Sequence, residues 1–369
     1  MLYPLALTRA LRMLDRICSL IRDNERFFVV THIRPDGDAL GSQIALGHFL
    51  KALGKEVTLL NSDDPPPNLE WMPGIDAVET FDGSVAYHEA LNDADVVFVV
   101  DANDADRLGR LGPIVEAGAA DTVLIDHHQA PDTWFTVSYV RSEAAATGEM
   151  IYDIIAAYDA DRIDATIATA LYTAIMTDTG SFRFTSVTPR IHRIIADVLE
   201  RGSIQPAPIH EQIYDRKSMP ALRLLGLMLN RIRLRYDGQV AYSILTQRMV
   251  DDAGASWNDK DGFVNYLLSI DGVRAALLFS EVNDGAKISF RSEAGTRVDE
   301  WARSFDGGGH KNAAGAYVRR PSLKEVVDHV LDAAPRFLDL APEAATHNML
   351  SAEDEDYLRT LMDAQHEDA

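Results

Sequence analysis

The chain has 369 residues, enough for two domains that each bury a core. Hydrophobic residues make up 47% and charged residues 25%, as in globular proteins, and the formal net charge of −22 argues against a general nucleic-acid coat protein. Residues 1–222 hold 18 Lys and Arg against 33 Asp and Glu, and residues 339–369 hold 1 against 9. Residues 223–338 hold 16 against 15, so this part can supply Arg and Lys to an anion.

The cysteine count and the hydropathy of the N-terminus bear on the cellular compartment. The sequence has one cysteine, Cys18, so no disulfide can form within the chain. The apolar N-terminal stretch is interrupted by Arg9, Arg12, Asp15 and Arg16, and it does not resemble a signal peptide. No apolar run reaches the length of a membrane-spanning helix, so we expect a cytoplasmic protein.

Apolar runs alternate with helical patterns in the first part of the chain. After a helical pattern over residues 1–24, four apolar runs predict buried strands: Phe27–Val30, Glu56–Leu60, Asp95–Val100 and Thr122–Ile125. Helical patterns separate them, at Ala39–Leu53 and around Arg107–Ala117. Strands that are apolar throughout and alternate with helices predict an α/β fold with a parallel sheet flanked by helices.

Further helices precede a change in composition near residue 203. They are predicted at Thr147–Tyr158, at Asp164–Met176 and from Thr188-Pro189 to Gly202. The segment Ser203–Lys217 contains two prolines and has linker composition. We therefore predict a first domain at residues 1–202 and a linker at residues 203–218.

A second, smaller domain is predicted at residues 219–338. It begins with a helix from Met219 to about Tyr236. The strands Val273–Val282 and Lys287–Arg291 are joined through Asn283-Asp284-Gly285, which is typical of a tight β-hairpin. The other elements are a strand at Val240–Leu245 and helices near Val298–Phe305 and at Ser322–Ala334. This pattern indicates a mixed-sheet α/β domain, followed by an acidic tail at residues 339–369 that we expect to pack loosely.

Imidazole and carboxylate side chains follow three of the predicted strands. They are His32, Asp36 and Asp38 in THIRPDGDALGS, Asp101 in VVDAND, and Asp126, His127 and His128 in IDHH. The carboxyl ends of parallel strands form one edge of a sheet, where ligands bind. Asp178, at the end of a predicted helix, offers another carboxylate. Crowded carboxylates repel one another unless a dication joins them, although any single Asp can instead cap a turn or helix.

The mixture of ligand types points to a particular chemistry. Imidazole and carboxylate groups without a thiolate suit Mn²⁺ above Mg²⁺. The set is large enough for two ions if one carboxylate bridges them. Two ions about 3.5–4 Å apart hold the attacking and leaving oxygens of phosphoryl transfer and lower the pKa of a bridging water.

These motifs resemble those of the DHH phosphoesterase superfamily. THIRPDGDALGS, VVDAND, IDHH and MTDTGSFRF are similar to its four motifs, and GGGHKNAAG is similar to the signature of a DHHA1 second domain. The resemblance covers about Arg26 to Phe337, and the length fits the NrnA-type oligoribonuclease and pAp phosphatase branch. It implies an active site in the cleft between a DHH domain and a DHHA1 domain.

The resemblance also implies roles for individual residues. One metal ion would be held by His32, Asp36 and Asp101, and the other by Asp38, Asp101, His127 and Asp178. His128 would face the scissile phosphate, and Asp126 would orient a ligand histidine. Arg291 and His310 would bind substrate in the second domain, where Gly308 and Gly309 would let backbone N–H groups approach a phosphate.

The implied activity is hydrolysis of short oligoribonucleotides, of linear dinucleotides such as pApA and pGpG, and of pAp. Two Mn²⁺ ions are expected, with Mg²⁺ or Co²⁺ as alternatives. No basic stripe is present for a long nucleic acid, no membrane partner is implied, and a homodimer is compatible with the sequence. The alternatives are a polyphosphate or pyrophosphate phosphohydrolase of the same superfamily and a non-catalytic nucleotide sensor.

Overall fold

The computed structural model describes residues 3–293, 295–320 and 322–339, and it describes the side chains of these residues other than 3–11 and 310. The chain divides into two compact units, Met1–Arg216 and Lys217–Ala369. The predicted acidic tail lies outside the described residues apart from Asp339. Within the described part of the chain, none of the helices combines the length and apolar composition that a membrane crossing requires.

The first unit is organised around a parallel sheet. Among its described residues the strands are β1 (Arg26–Val30), β2 (Glu56–Asn61), β3 (Val78–Thr80), β4 (Val96–Val100), β5 (Asp121–Asp126) and β6 (Val137–Val140). Their order is β3-β2-β1-β4-β5-β6, and every neighbouring pair is parallel. The parallel α/β sheet predicted from the apolar runs is confirmed.

Helices cover both faces of this sheet. They are α1 (Tyr3–Asp23), α2 (Gly37–Ala52), α3 (Val85–Asn92), α4 (Gly112–Ala117), α5 (Thr147–Asp159), α6 (Ala165–Asp178), α7 (Pro189–Gly202) and α8 (Pro206–His210). Short 3₁₀ turns lie at Pro67–Leu69, Ile75–Ala77, Asp106–Leu111 and Ala160–Arg162, with a π-helical turn at Glu211–Asp215. Successive strand residues point to opposite faces, so Phe27 and Val29 join one hydrophobic core while Phe28 and Val30 join the other.

The strand order changes direction between β1 and β4, the strands that precede the turns with His32 and Asp101. From β1 the chain adds β2 and β3 on one side, and it then returns to add β4 on the other side. The turns after β1 and β4 therefore lead away in opposite directions from adjacent strands. In open α/β sheets this switch point is the usual place for a ligand.

The segment predicted as a linker packs with the first unit. It contains α8 and the π-helical turn, and the boundary between the units follows Arg216. Ile209 of α8 is buried in the core of the first unit, and Ile213 and Tyr214 pack against that core. These apolar contacts hold the segment on the first unit.

The second unit is built on a mixed sheet. Its described strands are β7 (Arg233–Arg235), β8 (Val240–Leu245), β9 (Ala275–Val282), β10 (Gly285–Ser292), β11 (Gly308–His310) and β12 (Ala313–Arg319). Their order is β11-β12-β10-β9-β8-β7, with β8 and β9 parallel and the other neighbouring pairs antiparallel. The predicted hairpin is confirmed, since Gly285 pairs with Val282.

The three predicted helices of the second unit are present but shorter than predicted, and three further short helices lie among the described residues. They are α9 (Met219–Leu229), α10 (Gln247–Ala253), α11 (Val264–Leu268), α12 (Asp299–Arg303), α13 (Leu323–Leu331) and α14 (Pro335–Leu338), with a 3₁₀ turn at Trp257–Lys260. The prediction of one helix from Met219 to about Tyr236 is wrong. Residues 233–235 instead form β7, which pairs with β8 through a turn whose residues Tyr236, Asp237 and Gly238 all have positive φ.

Candidate metal centre

The turn between β1 and α2 brings the first three polar residues to the sheet edge. His32 follows β1 and is buried, while Asp36 is the N-cap of α2, where its Oδ1 accepts hydrogen bonds from the backbone N–H groups of Asp38 (3.1 Å) and Ala39 (3.0 Å). The capping alternative is therefore confirmed for Asp36. The cap leaves the other oxygen, Oδ2, and the buried carboxylate of Asp38 for additional interactions.

Asp101, at the end of β4, occupies the middle of the cluster. Its φ of +58° is uncommon for a residue other than glycine, and its side chain is almost fully buried. Oδ2 lies 3.4 Å from Nε2 of His32, whereas Oδ1 lies 3.7 Å from Nε2 of His127. The two oxygens of one carboxylate thus face histidines from two different strands.

The remaining members gather around His127. Its Nε2 lies 3.5 Å from Oδ2 of Asp178 and 3.9 Å from Oδ2 of Asp38. Among the described residues, three overlapping groups of potential ligand atoms lie close together: His32, Asp36 and Asp101; Asp38, His127 and Asp178; and Asp101, Asp126, His127 and His128. Ligands that share one ion at bond lengths of about 2.1 Å lie roughly 3–4 Å apart, so the observed spacings suit cation ligands.

The histidine hydrogen bonds orient ring nitrogens toward the carboxylates. Nδ1 of His32 lies 2.8 Å from the carbonyl oxygen of Ile33, and Nδ1 of His127 lies 3.3 Å from that of Ala144. Donation from Nδ1 to a carbonyl leaves the lone pair of a neutral imidazole on Nε2, as in metal-ligating histidines. Nε2 of His32 is buried and has no hydrogen-bond partner among the described residues, which fits a place for a cation.

The pKa values of three carboxyl groups in the cluster are shifted from their ordinary values. Burial, followed by the charge of Asp101, raises the pKa of Asp38 and of Asp178. Burial also acts to raise the pKa of Asp101, but its interactions with His32, His128 and His127 outweigh burial and hold that pKa below the usual range. A dication would compensate the buried negative charge, so the donor set fits divalent metal binding.

The Asp126 carboxylate is hydrogen-bonded to both the backbone and the ring of His128. Its Oδ1 accepts hydrogen bonds from the backbone N–H of His128 at 2.9 Å and from Nδ1 of the same residue at 2.7 Å. The prediction assigned Asp126 to a ligand histidine, but the structure pairs it with the histidine that was expected to face the phosphate. His127 and His128 are adjacent in the sequence, so only the direction of the Asp126 side chain in the fold shows which of the two it contacts.

Sequence reasoning missed Thr147 and Gly148 at the start of α5. Their backbone N–H groups donate to Oδ2 of Asp38 at 2.7 Å and to Oδ1 of Asp38 at 2.9 Å. The Thr147 hydroxyl donates to Oδ1 of Asp101 at 2.9 Å. Asp38 lies more than 100 residues away from both donors, so no local sequence signal could have revealed these contacts.

The predicted substrate residues of the second unit lie on β10 and β11. Arg291 is half-buried on the face of β10 opposite the buried Ile288 and Phe290, and it forms no ion pair with a carboxylate among the described residues. Gly308 and His310 lie in β11, at the edge of the sheet order, and the side chain of His310 lies outside the described part.

The adjacent glycines of β11 have different surroundings. A Cβ on Gly309, which has a φ of +139°, would lie 2.5 Å from the carbonyl oxygen of Ala313. A Cβ on Gly308 would meet no described atom within 4 Å. Glycine at position 309 therefore allows β11 to pack closely on β12. At position 308 a side chain would meet no described atom nearby.

Comparison with known proteins identifies the family. Residues 26–175 match the DHH family, N-terminal domain, and residues 237–339 match the DHHA1 domain. A protein of Thermus thermophilus named bifunctional oligoribonuclease and PAP phosphatase NrnA is 32% identical over 306 residues, which is 83% of this chain and 88% of the relative. The chain belongs to the DHH family. Its second unit is a DHHA1 domain, and its full-length relatives place it with the NrnA-type proteins.

Other relatives agree over most of the chain. The protein of the same name in Bacillus subtilis is 26% identical over 291 residues, covering 78% of this chain and 87% of the relative. The crystal structure of an exopolyphosphatase-related protein from Bacteroides fragilis has a TM-score of 0.83 and 28% sequence identity, and the match covers 95% of this chain and 98% of that one. The resemblance inferred from the motifs is confirmed, and the chain is a metal-dependent hydrolase of this family.

Proposed function

We propose that this enzyme hydrolyses short oligoribonucleotides and linear dinucleotides such as pApA and pGpG to mononucleotides, and pAp to AMP. The observation that carries the proposal is the position of Asp101, whose two oxygens face two separate groups of ligand atoms. The names of the Thermus thermophilus and Bacillus subtilis relatives support oligoribonucleotides and pAp as substrates.

We assign the metal ligands as two sets that share Asp101. One set is His32, Asp36 and Asp101, and the other is Asp38, Asp101, His127 and Asp178. Imidazole and carboxylate donors without a thiolate favour Mn²⁺, with Mg²⁺ or Co²⁺ as substitutes. When bound, a pair of such cations supplies Lewis acidity toward a phosphoryl oxygen and acidifies water.

His128 has a role that the chain itself defines. The carboxylate of Asp126 holds Nδ1, so the imidazole presents Nε2 as the atom that contacts a substrate oxygen. A neutral ring with its proton on Nδ1 can accept a proton at Nε2, and the resulting cation is stabilised by Asp126. We propose that His128, once protonated at Nε2, donates a hydrogen bond from that atom to an oxygen of the scissile phosphate.

In the second unit we propose that Arg291 and His310 bind a second phosphate of the substrate. Nη1 of Arg291 donates to the carbonyl oxygen of Phe290 at 2.9 Å, and the remaining N–H groups of the guanidinium can form two parallel hydrogen bonds to phosphate oxygens. Gly308, which borders open space, allows an anion to approach the β11 backbone, and Gly309 shapes the same strand. Arg291 and His310 would hold the substrate while the first unit carries the chemistry.

The test is an assay of metal-stripped protein with and without added Mn²⁺, on pApA, pAp and polyphosphate in parallel. Mn²⁺-dependent release of AMP from pApA and pAp supports the proposal. Turnover confined to polyphosphate would instead support a polyphosphate phosphohydrolase, the alternative that the name of the Bacteroides fragilis structure favours. Tight nucleotide binding with no turnover on any substrate would indicate a sensor instead.

A further inference from the structure

The start of α5 contacts two of the buried carboxylates of the candidate metal centre. Ala146, the N-cap residue, provides no side-chain hydrogen bond to the helix. The first N–H groups are instead satisfied by both oxygens of Asp38, a residue of α2. The positive end of the helix dipole and the carboxylate thus compensate each other.

These contacts restrict the lone pairs that Asp38 can offer to a cation. Besides the two backbone donors, Ser42 donates its hydroxyl to Oδ1 at 3.2 Å. Oδ1 therefore accepts two hydrogen bonds and Oδ2 accepts one, which leaves Oδ2, the oxygen nearest to His127, better able to bind an ion. The rotation of the Asp38 carboxylate is therefore fixed both by Ser42 of its own helix and by the start of α5.

Thr147 acts in the same way on Asp101. Its hydroxyl is fully buried and donates to Oδ1, the oxygen that faces His127 and His128. Oδ2, which faces His32, is left out of this bond. The hydroxyl thus contacts one oxygen of the carboxylate that both ligand sets share.

We propose that Thr147 is a positioning residue of the metal centre, whose hydroxyl fixes the rotation of Asp101 so that each oxygen faces one ligand set. This inference rests on the proposed metal centre and adds to it a residue outside the ligand set. Loss of a hydrogen bond to a ligand lowers metal affinity by about 10–100-fold in comparable sites. The effect should fall mainly on the set that contains His127, because Oδ1 faces that set.

The experiment compares Thr147→Val, which replaces the hydroxyl by a methyl group of similar size, with Thr147→Ser, which keeps it. Thr173→Val is the matched control, since Thr173 is also a fully buried helical threonine and its hydroxyl has no hydrogen-bond partner among the described residues. Mn²⁺ binding to the metal-stripped full-length chains is measured by calorimetry and by electron paramagnetic resonance. Circular dichroism checks that each variant folds.

We expect Thr147→Val to bind one Mn²⁺ equivalent about 10–100-fold more weakly, while Thr147→Ser and Thr173→Val bind like the wild type. Equal affinities in Thr147→Val and the wild type would overturn the inference, as would an equal loss in Thr173→Val. If Thr147→Val does not fold, Thr147→Ala, which adds no atoms, provides the same comparison. A wild-type chain that binds no Mn²⁺ would instead refute the proposed metal centre itself.

Discussion

Nδ1 of His128 lies 2.7 Å from Oδ1 of Asp126, and the backbone N–H of His128 donates to the same oxygen. Two bonds to one buried carboxylate fix both the backbone and the ring of the histidine. We predict that Asp126→Asn lowers kcat on pApA by about 10–100-fold, because the amide cannot stabilise a protonated ring, while Mn²⁺ content stays unchanged.

A double-mutant comparison checks this coupling. If Asp126 acts through His128, adding Asp126→Asn to a His128→Ala chain should cause little further loss of kcat. Independent, additive losses would contradict the pairing, and a loss of Mn²⁺ in Asp126→Asn would move Asp126 into the ligand set.

Removal of the shared carboxylate should have a larger effect on metal. Asp101→Ala removes both oxygens that face the two ligand sets, so we predict loss of turnover and of most bound Mn²⁺ with a native-like circular dichroism spectrum. Elemental analysis of the purified protein measures the metal, and Asp76→Ala, at an exposed carboxylate, is the control. Full activity in Asp101→Ala would refute the two-metal assignment.

Substrate length is a separate prediction. Residues 223–338 carry 16 Lys and Arg against 15 Asp and Glu, which provides no cationic track along a long backbone. We therefore expect di- to pentanucleotides to be hydrolysed much faster than long single-stranded RNA. Initial rates on labelled RNAs of increasing length test this, and equal rates at all lengths would count against it.

Arg291 and His310 should affect substrate use without affecting metal. We predict that Arg291→Ala and His310→Ala lose much of kcat/KM on dinucleotides at normal Mn²⁺ content, and lose less on an activated phosphodiester with no second phosphate. Arg291→Lys should recover only part of the loss, because an ammonium cannot form the paired hydrogen bonds of a guanidinium. Loss of metal in either alanine variant would place that residue in the ligand set instead.

Acid stability of the second unit should depend on Asp299. The side chain is buried at the start of α12, where Arg297 donates at 3.1 and 2.6 Å and Arg303 lies at 3.0 Å. The hydrogen bonds from Arg297 lower the pKa of Asp299 against the opposing effect of burial. A lowered folded-state pKa gives a stability contribution that is present above the unfolded pKa and is lost as pH falls through the folded one.

We therefore expect Asp299→Asn to destabilise the protein by about 1.5–3 kcal/mol at pH 7, the range for hydrogen bonds to a charged group. The difference from the wild type should shrink as pH falls below about 4, where the unfolded carboxyl becomes protonated. Urea unfolding followed at several pH values measures both effects. A destabilisation that stays constant down to the lowest pH would show that charge is not the cause.

The residues at the strand ends were predictable because parallel topology alone brings them together. Apolar runs before His32, Asp101 and Asp126 identify buried strands, and strands buried on both faces that alternate with helices are typical of a parallel sheet, whose carboxyl ends share one edge. The short edge strands β3 and β6 escaped prediction, since their half-buried residues carry no continuous apolar run. The local pattern predicts that residues 233–235 continue a helix, but pairing with β8 overrides that pattern and makes them strand β7.

The contacts of Thr147 and Asp126 were not predictable for a different reason. Each depends on the direction of one side chain after the sheet has formed, and spacing along the chain does not record that direction. The Asp36 N-cap shows the opposite case, because an Asp that accepts from the first backbone N–H groups of a helix is a recurrent local motif. Such a motif can be inferred from sequence, whereas the bond between Asp126 and His128 and the distant contacts of Thr147 require the fold.

The pairing of β1 with β4 has a consequence for synthesis of the protein. Phe27 lies opposite Val96, and the contacts of Asp178 add a segment still farther along the chain. Domains generally fold from the N-terminus as the chain leaves the ribosome. A nascent chain that has not emerged past Asp178 lacks part of the proposed ligand set, so the metal centre can be completed only after most of the first unit has been synthesised.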